Sequence, residues 1–115
     1  MTGTGATAAS ESSNFRVSTE EVPEGAVLRI EGEVDVYTSP ALRDELYRLI
    51  EAGAKRVVVD LANMDFIDSS GLGVFVGALK RIRERSGDLE LRAMQPSTRK
   101  VLEITGLTQV FTITD

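Results

Sequence analysis

The run Arg56-Val57-Val58-Val59-Asp60-Leu61 constrains the fold more than any other stretch of this chain. It is β-branched and almost continuously apolar, which is the composition of a central strand covered on both faces. At 115 residues and 42% hydrophobic, the chain has material for one such core and not for two. The segments around the run must therefore supply the covering layers of a single domain.

Those segments have the right periodicity. Leu42, Leu46, Leu49 and Ile50 recur at helical spacing until Gly53, after a Ser39-Pro40 pair that offers an N-cap hydroxyl and a first helical residue with preset backbone. Leu72, Phe75, Val76, Leu79 and Ile82 draw a second apolar stripe, ending near Ser86-Gly87. Pro96 opens a third helix carrying Val101, Leu102 and Ile104 and closed by Gly106. Strands are expected over Phe15–Ser18 and Ala26–Glu31, joined by Pro23-Glu24-Gly25, then over Leu89–Ala93 and Val110–Ile113. Helices between the later strands make those strands parallel, while the opening hairpin is antiparallel. The predicted architecture is an α/β domain over residues 14–115, with a mixed sheet packed against helices. Residues 1–13 are small and polar and are expected to form a disordered tail.

At the end of the central strand the sequence reads Asp65-Phe66-Ile67-Asp68-Ser69-Ser70-Gly71-Leu72-Gly73. Two hydroxyls thus fall where a strand-like segment turns into a glycine-studded helix. Ser69 or Ser70 could serve as the N-cap, and Ser69 could also be reached from outside; the two roles are compatible. Ser70, Gly73, Gly77 and Lys80 share one helix face, where each glycine costs about 1 kcal/mol relative to alanine. Close packing inside the domain and a flat landing surface for another protein both account for that cost. A phosphate on Ser69 would meet the positive end of the helix but also Asp68 and Asp65, with Glu33 and Asp35 joining if their loop folds nearby. At about 8 Å and an effective dielectric near 20, each unit-charge pair in such a rim costs about 2 kcal/mol.

Several chemistries are excluded. The chain has neither cysteine nor histidine, so thiolate and imidazole metal sites, disulfides and Ser-His or Cys nucleophiles are ruled out. Gly71, Gly73 and Gly77 miss the dinucleotide pattern because position 76 is Val, and no Gly-Lys-Ser or Gly-Lys-Thr phosphate loop occurs. Asp60 lacks the acidic pair and late lysine of a phospho-accepting receiver and reads as a strand-end or capping acid. Lys80-Arg81-Ile82-Arg83-Glu84-Arg85 complements a helix C-terminus and reads as a solvated face. The net charge is −5, and up to Asp68 there are 13 acids against 6 bases, which argues against nucleic acid. No 18-residue apolar stretch and no secretory signal is seen, so a cytoplasmic location is expected.

The motif Ile67-Asp68-Ser69-Ser70-Gly71-Leu72-Gly73-Val74, with Gly32-Glu33-Val34-Asp35-Val36-Tyr37-Thr38-Ser39 upstream, resembles the bacterial anti-sigma factor antagonists of the STAS domain family. The resemblance runs from about Phe15 to the end of the chain and includes Ile104-Thr105-Gly106-Leu107. It implies a STAS-like fold and a protein that is a substrate and a switch rather than an enzyme. Ser69 would be phosphorylated by an anti-sigma factor with serine kinase activity, with Asp68 supporting the site and Asp35 as the second acidic landmark. The implied partner contacts are Asp35, Thr38, Asp68, Ser70, Gly71, Gly73 and Gly77. The unmodified form would capture the anti-sigma factor and free a sigma factor; a metal-dependent serine phosphatase would restore it after phosphorylation. No metal or cofactor is expected, and self-association as a weak homodimer is left open. The alternative within the family is a scaffold or transporter-regulating module without a phosphorylation cycle.

Overall fold

The computed structural model describes residues 7–12 and 14–115, with side chains from Asn14 onward. Six strands form one sheet in sequence order: β1 (Thr7–Ser12), β2 (Phe15–Val22), β3 (Gly25–Val34), β4 (Arg56–Ile67), β5 (Asp88–Arg92) and β6 (Thr112–Thr114). The first three are antiparallel neighbours, and the pairs from β3 to β6 are parallel. The parallel strands are linked by the helices α1 (Ser39–Glu51), α2 (Ser69–Glu84) and α3 (Pro96–Ile104), as the alternating pattern predicts. Pro23 and Glu24 form the tip of the opening hairpin, where Val22 pairs with Gly25. The mixed α/β architecture is therefore the expected one.

The expected disordered tail is corrected in part. Residues 1–6 and 13 lie outside the described residues, but residues 7–12 form β1 along the edge of β2. Their small, polar composition carries no core signal, yet pairing an edge strand needs only backbone N–H and C=O groups.

The central strand is also corrected. In β4, Val57, Val59 and Leu61 are fully buried and share one core with Leu28, Ile30, Leu42, Leu46, Phe75, Ile82, Leu91 and Leu102. Val58 is buried too but faces away from that core, between Val27 and Glu90 in register. The same face carries an ion ladder across the strands, with Glu20 and Asp60 on Arg29 and Asp60 also on Arg92. Helices thus cover one face only, and long charged side chains shelter the other.

Two boundaries move for local reasons. Thr38, not Ser39, precedes α1, and it makes no side-chain cap; Ser39 is the first helical residue and is buried. After α3, Val110 and Phe111 bond back to Leu107 in a short 3-10 turn, which delays β6 to Thr112. Phe111 is buried edge-on against Phe75, with ring centroids 6.5 Å apart.

Gly32 and Gly71 fix the approach to the end of the sheet where β3 and β4 stop. Gly32 has φ of 93°, and a Cβ there would lie 2.0 Å from the Asn14 carbonyl oxygen. At Gly71 a Cβ would lie 2.6 Å from Cγ1 of both Val34 and Ile67, so α2 seats its first turn directly on the sheet. Gly73, one turn position away, faces open space. Gly71→Ala is expected to destabilise the domain by about 1–3 kcal/mol through overpacking. Gly73→Ala should instead stabilise it by about 0.5–1 kcal/mol through helix propensity. Urea unfolding of the two variants checks both signs.

Candidate functional site

The site is set by two strand ends. Val34 and Ile67 are register partners in β3 and β4, and the Asp68 N–H donates to the Val34 carbonyl at 3.1 Å. The segments that leave the two strands, Asp35–Thr38 and Asp68–Gly71, therefore start side by side, about 4.8 Å apart as adjacent strands are. This is the carboxyl end of parallel strands, where open α/β sheets place their sites.

Asp68, rather than either serine, caps α2. Its backbone is extended, and its Oδ1 accepts from the N–H groups of Ser70 at 2.8 Å and Gly71 at 3.3 Å. The sequence leaves the cap to Ser69 or Ser70, but the carboxylate one residue earlier takes the position because its backbone has the non-helical geometry an N-cap needs. Ser69 becomes the first residue of the helix and is exposed; Ser70 is half-buried.

The neighbouring loop is held by Asp35 and Thr38. Asp35 Oδ1 accepts from the N–H groups of Tyr37 at 2.9 Å and Thr38 at 3.0 Å, and from the Thr38 hydroxyl at 3.2 Å. That hydroxyl also donates to the Glu33 carbonyl and accepts from the Asp35 N–H, both at 2.9 Å. Thr38 is spent on this loop, which is why it offers nothing to the start of α1. The Thr38 N–H holds the Asp35 carboxyl below its ordinary range; slight desolvation opposes this, and the Tyr37 N–H and Thr38 hydroxyl reinforce it.

Of the other expected contact residues, Gly71 is buried under α2 and Gly73 is exposed. Gly77 faces α1, where a Cβ would lie 3.0 Å from the Tyr47 hydroxyl. Arg81 stacks on the Tyr47 ring at 4.3 Å and bonds Glu51 at 2.8 Å, so this part of the glycine face belongs to helix packing. Arg83 pairs with Asp88, in keeping with a solvated basic face. Asp60 lies within β4 rather than at its end, and its partners are Arg29, Arg92 and the Ala62 N–H.

Sequence reasoning passed over three apolar side chains at this end. Tyr37 is 88% exposed, Val36 59% and Phe66 49%. Phe66 is the register partner of Glu33, beside the loop that carries Val36 and Tyr37. The available signal was two apolar residues between Asp35 and Thr38, in a turn that belongs to no apolar stripe. Residues 33–42 and 63–79 contain four acids and no lysine or arginine, so the segments that carry these side chains bear negative charge alone.

A family model of the STAS domain matches residues 16–115. The chain belongs to the STAS domain family. It is 35% identical over 100 residues to the anti-sigma-B factor antagonist of Bacillus subtilis strain 168, covering 87% of this chain and 91% of that one. Its fold is similar to that of an anti-sigma factor antagonist from Mycobacterium paratuberculosis, with a TM-score of 0.80 at 25% identity over 91% of this chain and 89% of the other. It is also similar to the Bacillus cell fate determinant SpoIIAA in its phosphorylated form, with a TM-score of 0.69 at 26% identity over 84% and 89% of the two chains. No helix among the described residues is long and apolar enough to cross a membrane.

Asp68→Ala is expected to cost about 1 kcal/mol in urea unfolding, while Asp68→Asn retains most of the cap. Asp35 should titrate below the ordinary aspartate value of 3.8. Because its pKa is lowered in the folded state, its contribution to stability is present above 3.8 and is lost as the pH falls through the lowered value. Carboxyl NMR titration reads that midpoint directly, and a value at or above 3.8 would contradict the loop geometry.

Proposed function

We propose that this STAS domain is an anti-sigma factor antagonist whose binding is switched by phosphorylation of Ser69. The observation that carries this reading is an exposed hydroxyl on the first residue of α2, beside a capping carboxylate and a rigid acidic loop. The name of the Bacillus subtilis relative and the phosphorylated form of SpoIIAA support it. The unmodified domain binds an anti-sigma factor that is also a serine kinase, through Asp35, Thr38, Asp68, Ser70 and Gly73, and so releases a sigma factor. Gly71 and Gly77 act from beneath by setting where α2 lies. A metal-dependent serine phosphatase removes the phosphate. The domain is a substrate and a switch in the cytoplasm, and its partners are proteins rather than nucleic acid or membrane.

Ser69 suits the acceptor role because Asp68 does the capping. Modification at the first helical residue leaves both carboxylate-to-amide bonds in place, so the fold should tolerate it. The added charge of about −1.5 to −2 then stands next to Asp68 and the Asp35 loop. With an anti-sigma factor kinase and ATP, the wild-type chain should gain one phosphate, located at Ser69 by mass spectrometry, and Ser69→Ala should gain none. Ser69→Glu should bind the anti-sigma factor at least about tenfold more weakly. Undiminished labelling of Ser69→Ala would move the acceptor elsewhere.

A further inference from the structure

Resting on that reading, we infer that Val36, Tyr37 and Phe66 form the anchor of the partner contact, and that phosphate on Ser69 ejects the partner by making this contact impossible to dry. The occupant is an apolar pocket on the anti-sigma factor, ringed by basic side chains.

Three observations carry it. Val36, Tyr37 and Phe66 are three of the five large apolar side chains exposed among the described residues, and all three lie within three residues of the register pair Val34–Ile67 that ends the two strands. Exposed apolar groups gathered at one place mark an interaction surface, and tyrosine in particular concentrates binding energy at the centre of interfaces. The Asp35 bonds to the Tyr37 and Thr38 N–H groups fix the loop, so little ordering entropy is lost when Tyr37 docks. Finally, the two segments that carry the patch bear four acids, Glu33, Asp35, Asp65 and Asp68, and no base between residues 33 and 42 or 63 and 79. A partner that complements it carries cations on its rim.

A basic rim by itself would welcome a phosphate, so repulsion cannot be the whole switch. A neutral serine hydroxyl can be covered by an apolar contact at modest cost, whereas an unpaired dianion cannot. Desolvation and repulsion differ in one measurable respect: salt screens repulsion between exposed charges and leaves desolvation largely untouched.

The test is calorimetric titration of the full chain with the anti-sigma-B factor of Bacillus subtilis, with ADP in place of ATP so that no phosphate is transferred. Tyr37→Ala and Phe66→Ala should each weaken binding at least about tenfold, Tyr37→Ala with an unchanged thermal midpoint and Phe66→Ala with a modestly lowered one but the fold retained, and Tyr37→Phe should bind nearly as the wild type. The affinity ratio of wild type to Ser69→Glu should stay constant as salt is raised. Wild-type affinity in both alanine variants would overturn the anchor, and a ratio that collapses with salt would overturn the desolvation switch. A dimer of the chain alone in sedimentation, dissolved by Tyr37→Ala, would assign the patch to a second copy and overturn the partner. If the wild type neither binds nor is labelled with ATP, the proposed function fails and takes the anchor with it. A labelled wild type with unaffected alanine variants sinks the anchor alone.

Discussion

The pairing of β3 with β4 near their exits governs this structure. Thirty-three residues lie between Val34 and Asp68 in sequence, and a single backbone bond of 3.1 Å between them sets two unrelated loops against each other. Each loop then organises itself through one carboxylate. Asp35 collects the N–H groups of its own turn, and Asp68 collects those of the helix that follows. Gly71 lets that helix approach Val34 and Ile67 as closely as backbone allows. A shift of one residue in the strand register would separate the loops and turn the buried valines outward, so the core and the site are specified by the same constraint.

Most of the fold was legible because its signals are local. The stripe from Leu72 to Ile82 and the turn at Pro23-Glu24 need no knowledge of their surroundings. What was not legible depended on partners far away in sequence. β1 has no apolar pattern, and pairing with β2 needs only its backbone groups. The open face of β4 was hidden by Val58, whose apolar character is matched by sheltering from neighbouring strands rather than by a second helix layer. The cap of α2 followed backbone geometry that no ranking of hydroxyls could supply. The serine motif itself was visible at once, but Val36, Tyr37 and Phe66 looked like ordinary apolar residues until the register brought them to one edge.

The uncovered face explains how a sheet with one helix layer stays intact. Arg29, Asp60 and Arg92 lie on three successive strands, and Arg56 reaches Glu90 at 2.6 Å from the strand beside it. Glu90 is buried and also accepts from Thr114, which ties the short β6 to the sheet. The Arg56 bond is the main reason that its carboxyl stays below the ordinary range, with Thr114 second. Exposed pairs of this kind contribute little individually, but a buried acceptor left without its donors would be costly. The ladder therefore serves to satisfy Glu90 and to cover Val58 more than to add Coulomb energy.

The two faces divide the labour in a way that bears on the proposed switch. The helix-covered side holds the core and the ion ladder holds the open side; Val34 and Ile67 carry the core up to the strand ends, and Ser69 stands just beyond them. Tyr37, 88% exposed, can be lost from that end without opening a cavity. A charge can also be added to Ser69 without breaking a bond, because the helix amides nearest to it already belong to Asp68. Had Ser69 been the cap, phosphorylation would have traded a neutral acceptor for a charged one inside the first turn and altered the helix itself. With Asp68 in that place, the proposed modification would change what the surface can bind and leave both bonds of the cap beneath it in place.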